Sequence, residues 1–219
     1  MQSEGMYENA LMSLFENLGY ETLYGPDIAR DYRIPVNEPQ MRFALTLVNP
    51  TKPNVAIDEA IRKVMSIDTG DLVQKNEKFM DYLQNGVEVT YENGGEMVHD
   101  IIYLIDYFNT SRNKFQAVNQ WTYQEYSEKR ADIIIFINGL PLVLIELKSP
   151  SREETDASAA YRQIRNYIKE IPSMFIYNAF CVMSDMECSK AGTITSNEDR
   201  YMEWKTKDGT IESSEFADF

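Results

Sequence analysis

The stretch from Arg130-Ala131-Asp132 to Ile145-Glu146-Leu147-Lys148 sets ionisable side chains at the ends of two strongly apolar runs, residues 133–137 and 142–145. Between the runs stands Asn138-Gly139-Leu140-Pro141, a turn sequence in which Gly139 takes a positive φ at little cost. A β-hairpin is expected. A two-residue loop of Gly139 and Leu140 sets Asp132 opposite Leu147, and a loop one residue longer sets it opposite Glu146. Alternation along the strand puts Glu146 and Lys148 on one face, and only the first register turns Asp132 away from it. Two carboxylates facing each other in an apolar sheet repel, and a charge buried without compensation costs several kcal/mol. Lys148 can neutralise one of them. A divalent cation can neutralise both and gain the oxygen ligands that hard cations prefer. The bland alternative is a strand end where Asp132, Glu146 and Lys148 emerge into solvent.

The elements that must position these residues are legible around them. Residues 87–91, 98–106, 114–123, 132–137 and 142–147 are rich in Val, Ile, Tyr and Phe and read as strands of one sheet. The continuous apolar runs imply strands covered on both faces, so helices must lie on either side. Apolar spacing predicts helices over residues 7–18, 40–48, 54–66 (with Asn54 as cap), 76–83 and 157–169, and a returning strand over Phe180–Ser184. The fold class is α/β, bordering on α+β, with a mixed central sheet flanked by helices. Three parts are expected: helical residues 1–85, a core over 86–190, and an extension over 191–219.

Composition removes several functions. Cys181 and Cys188 are too few for a disulfide framework, and with His99 as the single histidine a Cys/His zinc site is excluded. His99 sits alone among strand residues and reads as structural. No apolar run approaches a bilayer span, and the acidic first residues, with Glu4, Glu8 and Glu16, do not resemble a signal peptide. No membrane association is expected, and the cytoplasm is the expected compartment. The chain lacks a P-loop motif. The formal charge is −14, yet residues 101–185 carry 9 basic against 10 acidic side chains. Without a strongly basic face, nucleic acid would be held weakly or with help from other chains.

Asp132, followed by Glu146-x-Lys148 on the next strand, resembles the PD-(D/E)XK nuclease motif. The surroundings sharpen the likeness: Arg130-Ala131-Asp132, Asn138-Gly139-Leu140-Pro141, Ile145-Glu146-Leu147-Lys148-Ser149-Pro150, Gln163-Ile164-Arg165-Asn166-Tyr167 and Ser184-Asp185. Together with Gly19-Tyr20 and Trp204-Lys205-Thr206, they resemble the N-terminal domain of the restriction (HsdR) subunit of type I restriction-modification enzymes.

That resemblance implies a restriction-endonuclease-like core and Mg²⁺-dependent hydrolysis of double-stranded DNA. It implies Asp132, Glu146 and the Leu147 carbonyl as metal ligands, with Lys148 facing the scissile phosphate. Two nearby carboxylates favour the charged form of Lys148, so electrostatic stabilisation and water positioning suit it better than general base catalysis. Gln163 and Tyr167, one helical turn apart, match the family's Q-x-x-x-Y motif and would orient the metal site or contact DNA. Glu8 is a further site candidate on the first helix. Lys129, Arg130, Arg162, Arg165 and Lys169 are candidates for backbone phosphate contact. The family commonly has Pro where Ala131 stands. It also continues into ATPase domains, so ATP belongs to the full-length subunit, the partners are the modification and specificity subunits, and this chain is expected to be a fragment or truncated product. The competing readings are a repair or resolvase nuclease of the same superfamily, and a catalytically idle module that docks DNA or partner subunits.

Overall fold

The structure is a computed structural model, and it describes residues 4–148, 157–184 and 189–203. Ser149-Pro150, Asp185, Cys188 and Trp204-Lys205-Thr206 lie outside the described residues. Seven strands form one sheet in the order β1-β4-β5-β6-β7-β8-β9. They are β1 (Glu21–Tyr24), β4 (Phe115–Gln124), β5 (Glu128–Ile137), β6 (Leu140–Leu147), β7 (Phe180–Ser184), β8 (Ser189–Gly192) and β9 (Met202–Glu203). The β1–β4 and β6–β7 pairs are parallel and the others antiparallel, so the sheet is mixed.

Both faces of the central strands are covered, as their unbroken apolar runs require. Helix α1 (Glu4–Asn17) lays Tyr7, Leu11 and Phe15 against Ile133, Ile135, Ile145 and Leu147. Helix α5 (Ala157–Glu170) covers the other face, packing Ala160, Ile164 and Tyr167 against Ile134, Phe136, Leu144 and Met183. A further helix, α6 (Pro172–Phe175), adds Met174 and Phe175 to that layer.

The strands expected over 87–91 and 98–106 do not join this sheet. They form a separate antiparallel pair, β2 (Val87–Asn93) and β3 (Glu96–Ile102). In β2 only Val87, Val89 and Tyr91 are buried, alternating with Glu88, Thr90 and Glu92, so the ribbon has one apolar face. That face packs with α2 (Glu38–Val48), α3 (Asn54–Met65) and α4 (Leu72–Asn85) into a cluster of its own. Two local expectations also change. Pro53, not Asn54, occupies the cap of α3, and α4 begins earlier than residue 76 because Asp71 and Gln74 form a capping box.

The β5–β6 turn differs from both loops considered. Asn138 and Gly139 are the central residues, with φ of 53° and 77°, the left-handed pair that a type I′ turn demands. Ile137 pairs Leu140 and Phe136 pairs Pro141, after which Ile135 pairs Val143. Leu142 is therefore an extra residue on β6, a bulge that moves the register by one. The ladder then runs Ile134 to Leu144 and Ile133 to Ile145, and the same register carried one residue further places Asp132 opposite Glu146, with Asp132 Oδ2 bonded to the neighbouring Leu147 N–H.

The turn is locked from outside. Asn138 is fully buried; its amide donates to the Leu104 carbonyl at 2.8 Å, and its Oδ1 accepts from the Lys114 N–H at 2.7 Å. A Cβ on Gly139 would stand 2.5 Å from both the Asn37 carbonyl oxygen and the Met41 nitrogen. Gly139→Ala should therefore cost well over the ~1–2 kcal/mol of a left-handed alanine alone. Gly94→Ala, at φ 63° with open space around it, should cost only that amount. Urea unfolding of the two variants checks this, and equal losses would contradict it.

Candidate active site

Where β5 begins and β6 ends, the register delivers Asp132 and Glu146 to adjacent strands on the face covered by α5. The Glu146 side chain has no solvent exposure and that of Lys148 only 13%. Lys148 Nζ donates to Glu146 Oε1 at 2.6 Å and to the Leu147 carbonyl at 2.9 Å. Asp132 Oδ2 accepts the Leu147 backbone N–H at 2.8 Å, so the aspartate is tied to the strand that carries the glutamate. The Lys148 N–H continues the β6–β7 ladder to the Ser184 carbonyl at 2.8 Å. Ser184 in turn meets the Tyr7 hydroxyl at 2.7 Å, which joins α1 to the same end of the sheet.

Helix α5 braces this end from the other face. Tyr167 is buried; its hydroxyl donates to the Arg130 carbonyl at 2.9 Å and accepts from Gln163 Nε2 at 2.7 Å. The phenol is held well above its ordinary pKa, first by burial and then by the charge of Glu146, with Asp132 adding to it. That coupling places Tyr167 in the field of both carboxylates. It is a strut of the site, anchoring the start of β5, whereas half-buried Gln163 also faces a groove.

The groove, about 490 Å³, is lined by Glu128, Lys129, Arg130, Ala159, Arg162, Gln163, Asn166 and Tyr167. It gathers three of the five basic candidates. Arg165 instead donates to the Ile194 carbonyl at 2.7 Å, and Lys169 lies in the last turn of α5, off the groove lining. Glu8 is buried and reaches β4, its carboxylate accepting from the Asn119 and Gln120 amides at 2.7 and 2.6 Å. His99 is exposed on β3, bonded to Thr90 at 2.9 Å, outside this constellation. Sequence reasoning missed Asn119 and Gln120, although two amides interrupting an apolar strand were a visible signal.

The donor set suits a hard cation. Asp132, Glu146 and the Leu147 carbonyl offer only oxygen, and Lys148 already places a positive charge against two of these groups. Among the described residues no three Asp, Glu, His or Cys side chains cluster closely enough to hold a metal ion. An ion here would keep several waters, as magnesium usually does.

The family profile described as Type I restriction enzyme R protein N terminus matches residues 1–200. The chain belongs to that family. It is 34% identical over 218 residues to the type I restriction enzyme HindI endonuclease subunit of Haemophilus influenzae, covering 95% of this chain and 21% of that protein. It is 29% identical over 215 residues to a putative type I restriction enzyme MjaIXP endonuclease subunit of Methanocaldococcus jannaschii, covering 94% and 20%. A Staphylococcus aureus relative, the SauCOLORF180P endonuclease subunit, shares 29% over 190 residues, covering 84% and 18%. The chain thus spans about a fifth of the length of these relatives. Among the described residues of this R protein N terminus, no helix is long and apolar enough to cross a membrane.

Buried phenols make the R protein N terminus sensitive to alkali. Burial pushes Tyr123 and Tyr177 from 10.0 to about 12, and Tyr167 rises for the same reason. Unfolding frees these groups to ionise at their ordinary value, so the unfolded chain binds fewer protons above pH 10 and stability falls from there to about pH 12. Tyr167→Phe should soften that fall. At neutral pH it should cost about 1 kcal/mol through the lost bond to Arg130. Chemical denaturation at pH 7 and across pH 9–12 measures both effects.

Proposed function

We propose that this chain is the DNA-cutting domain of a type I restriction R subunit, hydrolysing phosphodiesters of double-stranded DNA with Mg²⁺. The observation that carries the proposal is the approach of Asp132 and Glu146 from adjacent strands, with Lys148 Nζ 2.6 Å from Glu146. On this reading residues 86–190 hold the catalytic core, 1–85 brace it, and 191–219 lead toward parts of the subunit outside this chain. Those parts translocate DNA at the expense of ATP, alongside modification and specificity subunits, in the cytoplasm.

Asp132, Glu146 and the Leu147 carbonyl would hold the ion. Bound there, it would lower the pKa of a water and spread the charge developing on phosphate oxygens. Lys148, held between Glu146 and the Leu147 carbonyl, acts as a fixed positive charge toward a phosphate, which suits stabilisation of developing charge rather than proton abstraction. Tyr167 fixes the start of β5 and hence the Asp132 backbone, and Gln163 fixes Tyr167. Lys129, Arg130 and Arg162 line a groove together with Gln163 and Tyr167 and would contact the DNA backbone.

In the complete assembled enzyme, Asp132→Ala should lower DNA cutting at least ~10²-fold and leave ATP hydrolysis intact, and Lys148→Ala should do the same. Parental cutting by either variant rejects the assignment. In the same assembly, Lys129→Ala combined with Arg162→Ala should weaken DNA binding without regard to sequence. It should also reduce the slope of log affinity against log salt by roughly one per lost contact. An unchanged slope would remove these residues from the DNA interface.

A further inference from the structure

Beyond Leu147 the sheet continues through two serines. Leu147 pairs Ser184 on β7, and Ser184 pairs Ser189 on β8. The layer around them is apolar, with Leu11, Phe15, Ile133, Ile145, Leu147 and Val182 all buried in it. Ser184 has no solvent exposure, and Tyr7 of α1 is 1% exposed. The Ser189 hydroxyl donates to Ser184 Oγ at 2.8 Å, and the Tyr7 hydroxyl shares a hydrogen bond with the same oxygen at 2.7 Å. One buried oxygen thus joins α1, β7 and β8. Taking hydroxyls out of water has a cost, and apolar side chains of the same shape would fill the layer without it. What the hydroxyls add is direction: a satisfied buried network fixes one arrangement of the elements that share it.

The main chain fixed in this way belongs to the site. The Leu147 N–H donates to Asp132 Oδ2 at 2.8 Å, and the Leu147 carbonyl accepts from Lys148 Nζ at 2.9 Å. Two of the site's contacts therefore run through the backbone of Leu147, and the residue paired with it on β7 is Ser184. The Lys148 N–H donates to the Ser184 carbonyl at 2.8 Å, so the residue that carries the hydroxyl also holds the end of β6. Its side chain, bonded to Tyr7, lies in the α1 layer, whereas on the preceding rung Glu146 pairs Met183, which packs in the α5 layer. The hydroxyl reaches the site through the strand alone.

We infer that Ser184 is a positioning residue: locked by Tyr7 and Ser189, it holds β7 against Leu147 and Lys148, and so sets where the Leu147 carbonyl stands as a ligand of the divalent cation. The inference rests on the cation site proposed above. Ser184 and Tyr7 touch neither ion nor DNA; they act through the backbone of β6.

The test uses the complete R subunit in its assembled enzyme. Ser184→Ala and Tyr7→Phe each remove a hydroxyl and keep the rest of the side chain. With no metal present, amide hydrogen exchange of the peptide carrying Leu147 and Lys148 should quicken about fivefold in each, the equivalent of one hydrogen bond. In calorimetric titration without nucleotide, Mn²⁺ affinity should fall about tenfold, and the Mg²⁺ concentration for half-maximal cutting should rise by a similar factor. The double variant should be no worse than Ser184→Ala alone, since Tyr7 acts through Ser184. Val182→Ala, which opens a cavity in the same layer and removes no hydroxyl, should lower the melting temperature and leave Mn²⁺ affinity at the parental value. An equal loss of affinity in Val182→Ala would show that any loosening of the layer suffices and would overturn the assignment. Parental Mn²⁺ affinity in Ser184→Ala, with affinity lost in Asp132→Ala, overturns the positioning role alone. Parental affinity in Asp132→Ala overturns the cation site and the positioning role together.

Discussion

A charged pair can face itself across an apolar hairpin in one register and not in the next, because a one-residue slip turns every side chain of a strand to the other face of the sheet. Here the register is set twice. The Asn138-Gly139 turn starts the ladder, and Leu142, the extra residue of β6, moves it on by one so that the rung beyond Ile133 and Ile145 brings Asp132 to Glu146. Without that bulge Asp132 would face Ile145, and the glutamate would lose the partner that makes its burial meaningful. The turn is accordingly the most constrained piece of backbone near the site, with Asn138 buried and Gly139 pressed against α2.

Such an arrangement takes charged groups out of water at a cost that their partners must offset. Lys148 gives Glu146 a close countercharge, and the Leu147 N–H gives Asp132 a hydrogen bond, so two acidic groups are held on adjacent strands at one end of the sheet. Replacing such groups by apolar residues is often neutral or stabilising, so their presence is weak evidence for stability and better evidence for a ligand. The bracing fits that view. Tyr167, held by Gln163, ties α5 to the backbone of β5 at Arg130, and Tyr7 ties α1 to the Ser184 hydroxyl on β7.

Much of this was legible. The double-sided strands β5 and β6 follow from runs such as Ile133 to Ile137 without a polar break, and α5 from the spacing of Ala160, Ile164 and Tyr167. The alternation of Val87, Glu88, Val89 and Thr90 carried the news that β2 is covered on one face only, though β propensity alone had suggested a strand of the main sheet. What stayed hidden depends on distant partners. β1 is short and half-exposed and exists because β4 pairs with it; β8 and β9 add on to β7 with few apolar residues of their own. The bulge at Leu142 and the left-handed Gln120 leave no mark in composition, since each is imposed by packing between elements remote in sequence.

The charge distribution connects the site to the way DNA would be handled. A chain of net charge −14 repels a polyanion at long range, while inside the ~10 Å reach of unscreened charge the groove presents Lys129, Arg130 and Arg162 against Glu128. On the proposed function, capture therefore cannot come from this domain's overall field and must come from elsewhere in the enzyme, leaving the groove to orient a duplex already delivered. A cutting centre that attracted DNA poorly by itself would also cut poorly when unaccompanied, so on that proposal the acidity of the surface would act in the same direction as restriction by an assembled complex, making cleavage conditional on other domains having brought the phosphate to Lys148.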